Sequence, residues 1–499
     1  LQAFFYGVFV EERLTLFSFT GKWRILHLTW FGFFMSFVVW LSLGPLMPFI
    51  QEALSLTEQQ AKVLLILNVA MTIPARIVVG ILVDKFGPKI MLSSILVTGG
   101  LTSIVFAWMQ SYELLALMRF LSGFVGAGFV VGTRMISEWF PAKQTGIAQG
   151  IYGGWGNFGS AGAALTLPFI ASNFAGLDGW RYAITTASIL AILYGVYYYF
   201  NVSNTPKGST YFKPKKTGAM EVSDFKDLVV YVIMNIPLYL ALALLTWKLS
   251  PTGMSMISSA MASVIYVVLC AIFVAQTTKI WLVNANFVNN PLPKPQQYKF
   301  KQVAILDWAY LITFGTELAV VSMLAMFYVD WFALPKITAA LLAGVYPFIN
   351  LFARPGGGWL SDKFGRKLTL IVVFAGIVLS FLCLGYVDKN WSVGFVVGLT
   401  IIGGIFSKAG SGAVFAMVPL IQRRLTGQIA GMVGAFGNVG AVIFLTANSL
   451  LDYGQFFTFI GLASAVVLLI IVLFLEEPKG HMTEVLEDGT VQIIKVGCQ

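Results

Sequence analysis

Four basic side chains stand inside long apolar runs of this sequence: Arg76, Arg119, Arg354 and Lys408. A charge at the centre of a bilayer costs roughly 2.5–3.5 kcal/mol on insertion scales, so each needs a partner, water or a ligand. Two of the four are matched. Arg76 and Arg354 each stand eight residues before an acid, Asp84 or Asp362, in ARIVVGILVDKFGPK (75–89) and ARPGGGWLSDKFGRK (353–367). Eight helical residues cover about 12 Å, which sets both guanidinium groups at one depth. Two cations converging at one level require either a carboxylate each or an anion between them. Acids are scarce in these runs: Glu138 and Asp307 lie near inner ends, and Glu317 alone is central. One acid cannot neutralise both arginines, so the pattern asks for a small anion. The planar fork of arginine makes paired hydrogen bonds to planar oxyanions and stays charged at physiological pH.

Holding such a pair takes a membrane scaffold. Of 499 residues, 58% are hydrophobic and only 11% charged, against about 25% charged in a soluble domain. The apolar surplus must face lipid. That excludes a soluble enzyme, a disordered chain and a disulfide-stapled secreted domain, for which three cysteines are too few. Runs long enough to cross a bilayer as helices fall near 25–45, 62–83, 89–108, 113–136, 143–170, 181–200, 228–247, 254–275, 303–329, 337–361, 367–387, 392–418, 427–448 and 454–475. This predicts fourteen spans. The first ten residues are apolar too, but Glu11, Glu12 and Arg13 cut them short of a span, and no cleavage site follows.

With the N-terminus inside, the outer segments hold only Lys62, Arg181, Lys248, Lys336 and Lys389. The other basic residues outside the spans lie on the inner segments and span mouths. The asymmetry puts both ends in the cytoplasm. The net charge of +10 is then a topology signal and not a nucleic-acid surface.

The chain also repeats itself. The two Asp-Lys-Phe-Gly segments match at an offset of 278, and TGIAQGIYGGWGNFG (145–159) matches TGQIAGMVGAFGNVG (426–440) at 281. Two homologous halves of six spans in one orientation follow, a known transporter plan with the site at the interface near the midplane. The expected organisation is an N-terminal segment (1–24), a six-helix bundle (25–200), a linker carrying an inserted two-helix hairpin (201–302), a second bundle (303–475) and a cytoplasmic tail (476–499).

The G-x3-D-K-F-G-x-K loops resemble the major facilitator signature, and the doubled Gly-Asn motif resembles the nitrate signature of the nitrate/nitrite porter family. The resemblance implies an all-α membrane protein with the major facilitator fold, a secondary active transporter that takes up nitrate and nitrite by alternating access with protons as the coupling ion. A nitrate/nitrite exchanger, or a facilitator for another small organic anion, is the alternative. It would sit in the plasma (inner) membrane as a monomer, with no cofactor, no metal and no nucleic-acid partner. By the same resemblance, Tyr310 in YLITFG contacts the anion with Phe314 one turn on, Phe129 in GAGFVVG flanks it, and Asn157 lies beside it.

The remaining candidates come from position. Gly153 and Gly156, with Gly434 and Gly437, belong to side-chain-free ridges whose spacing close helix packing explains; contact with the anion is the sharper reading. Asn157 and Asn438 are mid-span amides that must bond another helix or the substrate. Anion entry into a negative-inside cell is uphill by about 2.3 kcal/mol per 100 mV, so accumulation needs protons or exchange. Glu317 is the proton-coupling candidate, the alternative being a static pair with Arg119 or Lys408. Arg119 reads as structural, able to snorkel outward, and Lys408 has no basic counterpart in the first half. The loops at Asp84, Lys85, Asp362 and Lys363 would gate the inner side through charge pairs. With no Walker loop there is no ATP drive, and His27 and His481 cannot form a metal or catalytic cluster in the spans.

Overall fold

A computed structural model describes residues 18–173, 176, 178–209, 211, 219–253, 255–285, 297–334, 336–477, 480–485 and 491–496. Most of the expected N-terminal segment lies outside these residues, as do parts of the linker and tail.

The chain builds α1 (Gly21–Leu41), α2 (Leu43–Leu54), α3 (Glu58–Phe86), α4 (Pro88–Ala107), α5 (Tyr112–Ser122), α6 (Gly128–Trp139), α7 (Ala142–Asn157), α8 (Gly159–Asn173) and α9 (Gly179–Asn201). The inserted hairpin is α10 (Phe225–Leu249) and α11 (Ser259–Asn284). The second half is α12 (Phe300–Phe332), α13 (Lys336–Phe348), α14 (Asn350–Phe364), α15 (Arg366–Gly385), α16 (Val393–Ile421), α17 (Thr426–Asn448) and α18 (Tyr453–Phe474). Helices are the expected solution, because lipid offers no partner for a free backbone N–H or C=O. Side chains satisfy several helix starts: Thr57 and Asp452 form capping boxes, and Ser111, Ser258 and Ser392 accept from the first turn.

Among the described residues, 12 helices are long and apolar enough to cross a membrane. The spans expected at 143–170 and 337–361 are instead α7 with α8 and α13 with α14. Their junctions at Phe158 (φ −58°, ψ −18°) and Ile349 (φ −58°, ψ −23°) stay right-handed. Each junction keeps bonds of the α-helical type: the Phe158 N–H donates to the Gly154 carbonyl at 3.1 Å and the Ile349 N–H to the Val345 carbonyl at 3.3 Å, so the helical path runs on. The tail departs further from the all-helical plan, because Gly480–Val485 and Val491–Val496 pair as antiparallel strands.

Two helix pairs make the most extensive contacts between the halves. α3 packs on α17, and α7 packs on α14, which are the same two partners exchanged by the repeat. The glycine ridges make these contacts possible. A Cβ on Gly431 would come within 2.7 Å of the Arg76 carbonyl, and one on Gly150 within 2.8 Å of the Arg354 carbonyl. The hairpin breaks the symmetry: α10 lies against α3, α12 and α17, touching both halves on one side only. α11 leans on α10 and turns Val264, Val267, Ile272 and Val274 outward.

Candidate functional site

Arg76 descends from α3 and Arg354 from α14, and both side chains are fully buried at the interface of the halves. The arrangement is reciprocal. Arg76 lies against Gly434 of the opposite half, where a Cβ would stand 3.2 Å from its Cδ. Arg354 lies against Gly153, the repeat mate of Gly434, where a Cβ would stand 2.7 Å from its Nε. The ridges therefore leave room for the arginines as well as for helix packing.

Three rings make the shared wall. Phe129 stacks on Tyr310 at 6.1 Å between centroids and 3° between planes, and Tyr310 on Phe314 at 5.1 Å and 7°. The Arg76 guanidinium carbon stands 5.6 Å from the Phe129 centroid and 4.9 Å from that of Phe314. That of Arg354 stands 5.1 and 5.8 Å from the same two rings. Both cations thus occupy one aromatic chamber, each drawing roughly 0.5–2 kcal/mol from a ring face. Phe415 closes the chamber edge-on, 4.4 Å from Phe129 and 4.7 Å from Tyr310.

Each guanidinium is only partly satisfied. Arg76 donates from Nε to the Gly126 carbonyl at 3.3 Å and from Nη1 to the Gly434 carbonyl. Gly126 belongs to a 3₁₀ turn, Gly123–Ala127, that interrupts the span between α5 and α6. Asn438 lies alongside; with its oxygen toward the guanidinium it accepts from Nε and Nη1 at 3.2 Å. Arg354 donates from Nη2 to the Tyr310 hydroxyl at 2.8 Å. Nη2 of Arg76 and Nη1 of Arg354 are buried with no hydrogen-bond partner, and neither arginine pairs with a carboxylate, among the described residues. Two free donors on two uncompensated cations in one chamber suit an anion with several oxygens.

The other candidates divide. Gly437 abuts the Tyr310 and Phe314 rings, whereas Gly156 abuts Phe33 and supports α1. Asn157 is buried with neither amide atom bonded among the described residues. Glu317 accepts from the Asn350 amide at 2.6 Å and leaves Oε2 without a partner. Lys408 sits 3.4 Å from the Tyr346 ring centroid, within electrostatic reach of Glu317 and Arg354. Arg119 does not snorkel: it is buried and donates to the Trp40 carbonyl at 2.8 Å.

At the Asp-Lys-Phe-Gly end each aspartate reaches across to the other half. Asp84 accepts from the Gln428 N–H in the first turn of α17 at 3.1 Å, and Asp362 accepts from the Ile147 N–H of α7 at 2.9 Å. Their side-chain partners are Arg134 (3.3 Å) and Arg366 (2.9 Å). Lys85 and Lys363 instead lie over rings of their own loops, at 5.3 Å from Phe86 and 4.8 Å from Trp359. These lysines are exposed and already solvated, so the aspartates carry the cross-bundle contacts.

The sequence profile of the Major Facilitator Superfamily matches residues 29–283 and 306–495. The chain is 42% identical over 479 residues to the nitrate/nitrite transporter NrtP of Nostoc punctiforme, covering 95% of this chain and 96% of that one. It is 40% identical to NrtP of Picosynechococcus sp., covering 95% and 97%. The chain belongs to the nitrate/nitrite porter family of the major facilitator superfamily. Its fold is similar to that of the human organic anion transporter MFSD10, with a TM-score of 0.64 at 11% identity over 91% of this chain and all (100%) of that one.

As a porter of this family the chain is a transport protein and not an enzyme. Reading the sequence alone missed three parts of its centre. Arg134 counts there as a span-mouth residue, yet it is fully buried between Asp84 and Glu138, at 2.9 Å from the latter. The Glu138 spacing of i, i+4 was the available signal. Phe415 and Tyr152 gave none, being aromatics among many; Tyr152 stacks on Phe129 and donates to the Gly128 and Phe129 carbonyls.

Proposed function

We propose that this protein carries nitrate and nitrite into the cell across the plasma membrane by alternating access, with both termini cytoplasmic. One observation carries the reading: Arg76 and Arg354, one from each half, share the Phe129 and Phe314 rings, and each keeps a buried N–H without a partner. A planar trigonal anion can bond both forks and lie against the rings, which exclude water and suit a weakly hydrated ion. The names of the NrtP relatives support nitrate and nitrite as the substrates.

In this reading the cross-bundle contacts of Asp84 and Asp362 close the cytoplasmic side. An anion that bridges the arginines offsets their repulsion, draws the halves together and frees those contacts to break. Proton coupling passes through Glu317, whose unpaired oxygen and neighbour Lys408 put a titratable cluster next to Arg354. Nitrate uptake into proteoliposomes with acid outside tests both parts. The expected result is accumulation that nitrite competes with, sugars do not, and collapse of the pH gradient abolishes. Uptake indifferent to the gradient but dependent on internal nitrite would replace symport by exchange.

A further inference from the structure

Asp307 takes no part in the site above, yet it is fully buried on α12, and neither carboxyl oxygen has a hydrogen-bond partner among the described residues. Its place in the helix is informative. Asp307, Tyr310, Phe314 and Glu317 recur at i, i+3, i+7 and i+10, which is one stripe of a helix. Tyr310 and Phe314 are the wall of the anion chamber, so the two acids flank it. Asp307 stands about one turn from Tyr310 toward the Asp-Lys-Phe-Gly end, and Glu317 stands beyond Phe314 on the other side.

We infer that Asp307 is a proton-binding site on the cytoplasmic side of the anion chamber, loaded in this closed state and emptied when the inner side opens. The inference rests on the transport reading above and adds an exit to the coupling that Glu317 begins. Among the described residues no cation is bonded to it: Lys301 of α12 and Lys226 of α10 are exposed, and Tyr239 and Lys248 lie two and more turns further along α10 than Tyr231. α17 carries no ionisable residue, and the only one on α16 is Lys408, whose electrostatic neighbours are Glu317 and Arg354. On α18 the only one is Tyr453, bonded to Asp330 at 2.7 Å near the opposite end. α13 has Lys336 and also Tyr346, which lies under Lys408. α10 brings Asp227, bonded to the Phe300 N–H at 2.9 Å, and Tyr231, which is in electrostatic contact with Asp307. The Tyr231 hydroxyl accepts from the Met220 N–H at 3.4 Å, which leaves its own proton to donate. When the inner side opens, the carboxyl O–H bond breaks toward cytoplasmic water and the carboxylate becomes hydrated.

The test uses the full chain in proteoliposomes, comparing accumulation driven by an inward proton gradient with counterflow of labelled nitrate at equal pH. Asp307→Asn should lose at least about ten-fold in gradient-driven accumulation while counterflow persists, and Asp307→Glu should restore accumulation. Wild-type accumulation in Asp307→Asn overturns the inference, and so does loss of counterflow in a variant that nitrate still stabilises against heat. Should Asp307→Asn fail to fold, an unshifted pH-activation midpoint in Asp307→Glu overturns it as well. Absence of nitrate counterflow in the wild type would instead defeat the transport reading itself.

Discussion

The two arginines descend from one ancestral segment, yet their surroundings have diverged. Arg76 is braced by two backbone carbonyls and the Asn438 amide, whereas Arg354 is held by one phenol, Tyr310. In the first half, Phe33 occupies the place of Tyr310: Gly156 presses on Phe33 as Gly437 presses on Tyr310, and Phe33 has no hydroxyl to offer. The second half alone adds Glu317, Asn350 and Lys408, where the repeat sets Trp40, Thr72 and Ala127. The lesson is a division of labour. The symmetric parts suit the grasp of an anion, and the asymmetric parts suit the coupling of that grasp to a second ion.

That comparison can be broken at several points. The largest expected effect is at the arginines: Arg76→Lys or Arg354→Lys should lower nitrate uptake by roughly 100-fold or more, because a point charge cannot replace a fork and leaves its bracing partners unfilled. Surface expression and a normal melting curve would separate this from misfolding, and near-wild-type flux in either variant would break the symmetric half of the account. Next come the two locks. Arg134→Ala leaves Asp84, which has no exposure, without its cation and should cost about 3–5 kcal/mol. Arg366→Ala should cost less, since Asp362 keeps 12% of its side chain exposed; thermal unfolding in detergent ranks the two.

Glu317→Gln should abolish accumulation against a pH gradient while sparing counterflow, which would isolate coupling in the second half. Gradient-driven accumulation by that variant would remove Glu317 from the mechanism. The smallest effects distinguish the bracing groups. Tyr310→Phe and Asn438→Ala should each raise the nitrate KM by about ten-fold, the worth of a hydrogen bond to a charged group. Asn157→Ala, whose amide has no bonded atom among the described residues, should change it by no more than about two-fold. Equal effects at Asn157 and Asn438 would mean that the two arginines are braced alike.

Much of the scaffold was legible in the sequence, because lipid forces long apolar helices and two motif pairs at nearly one offset expose a duplication. The offset alone set Arg76 and Arg354 at one level. The junctions at Phe158 and Ile349 were not legible, since hydropathy runs through them unbroken. Nor was the burial of Arg134, because counting residues from a span end cannot see that Asp84 and Glu138 close around it. The bracing of the arginines depends on side chains from α6, α12, α16 and α17 meeting in space, and no local pattern encodes that. Asp307 stood in plain view near a span end, but only the folded structure shows that it is fully buried and that neither of its oxygens has a partner among the described residues.

The central claim is that one anion is held by both guanidinium groups at once. Nitrate binding to purified protein, measured for wild type, Arg76→Lys, Arg354→Lys and the double variant, forms a cycle that reads it directly. A shared ion predicts strong non-additivity, with each single variant losing nearly as much affinity as the pair together. Additive losses, or one single variant that binds nitrate as tightly as wild type, would mean that the arginines act separately and would contradict the account.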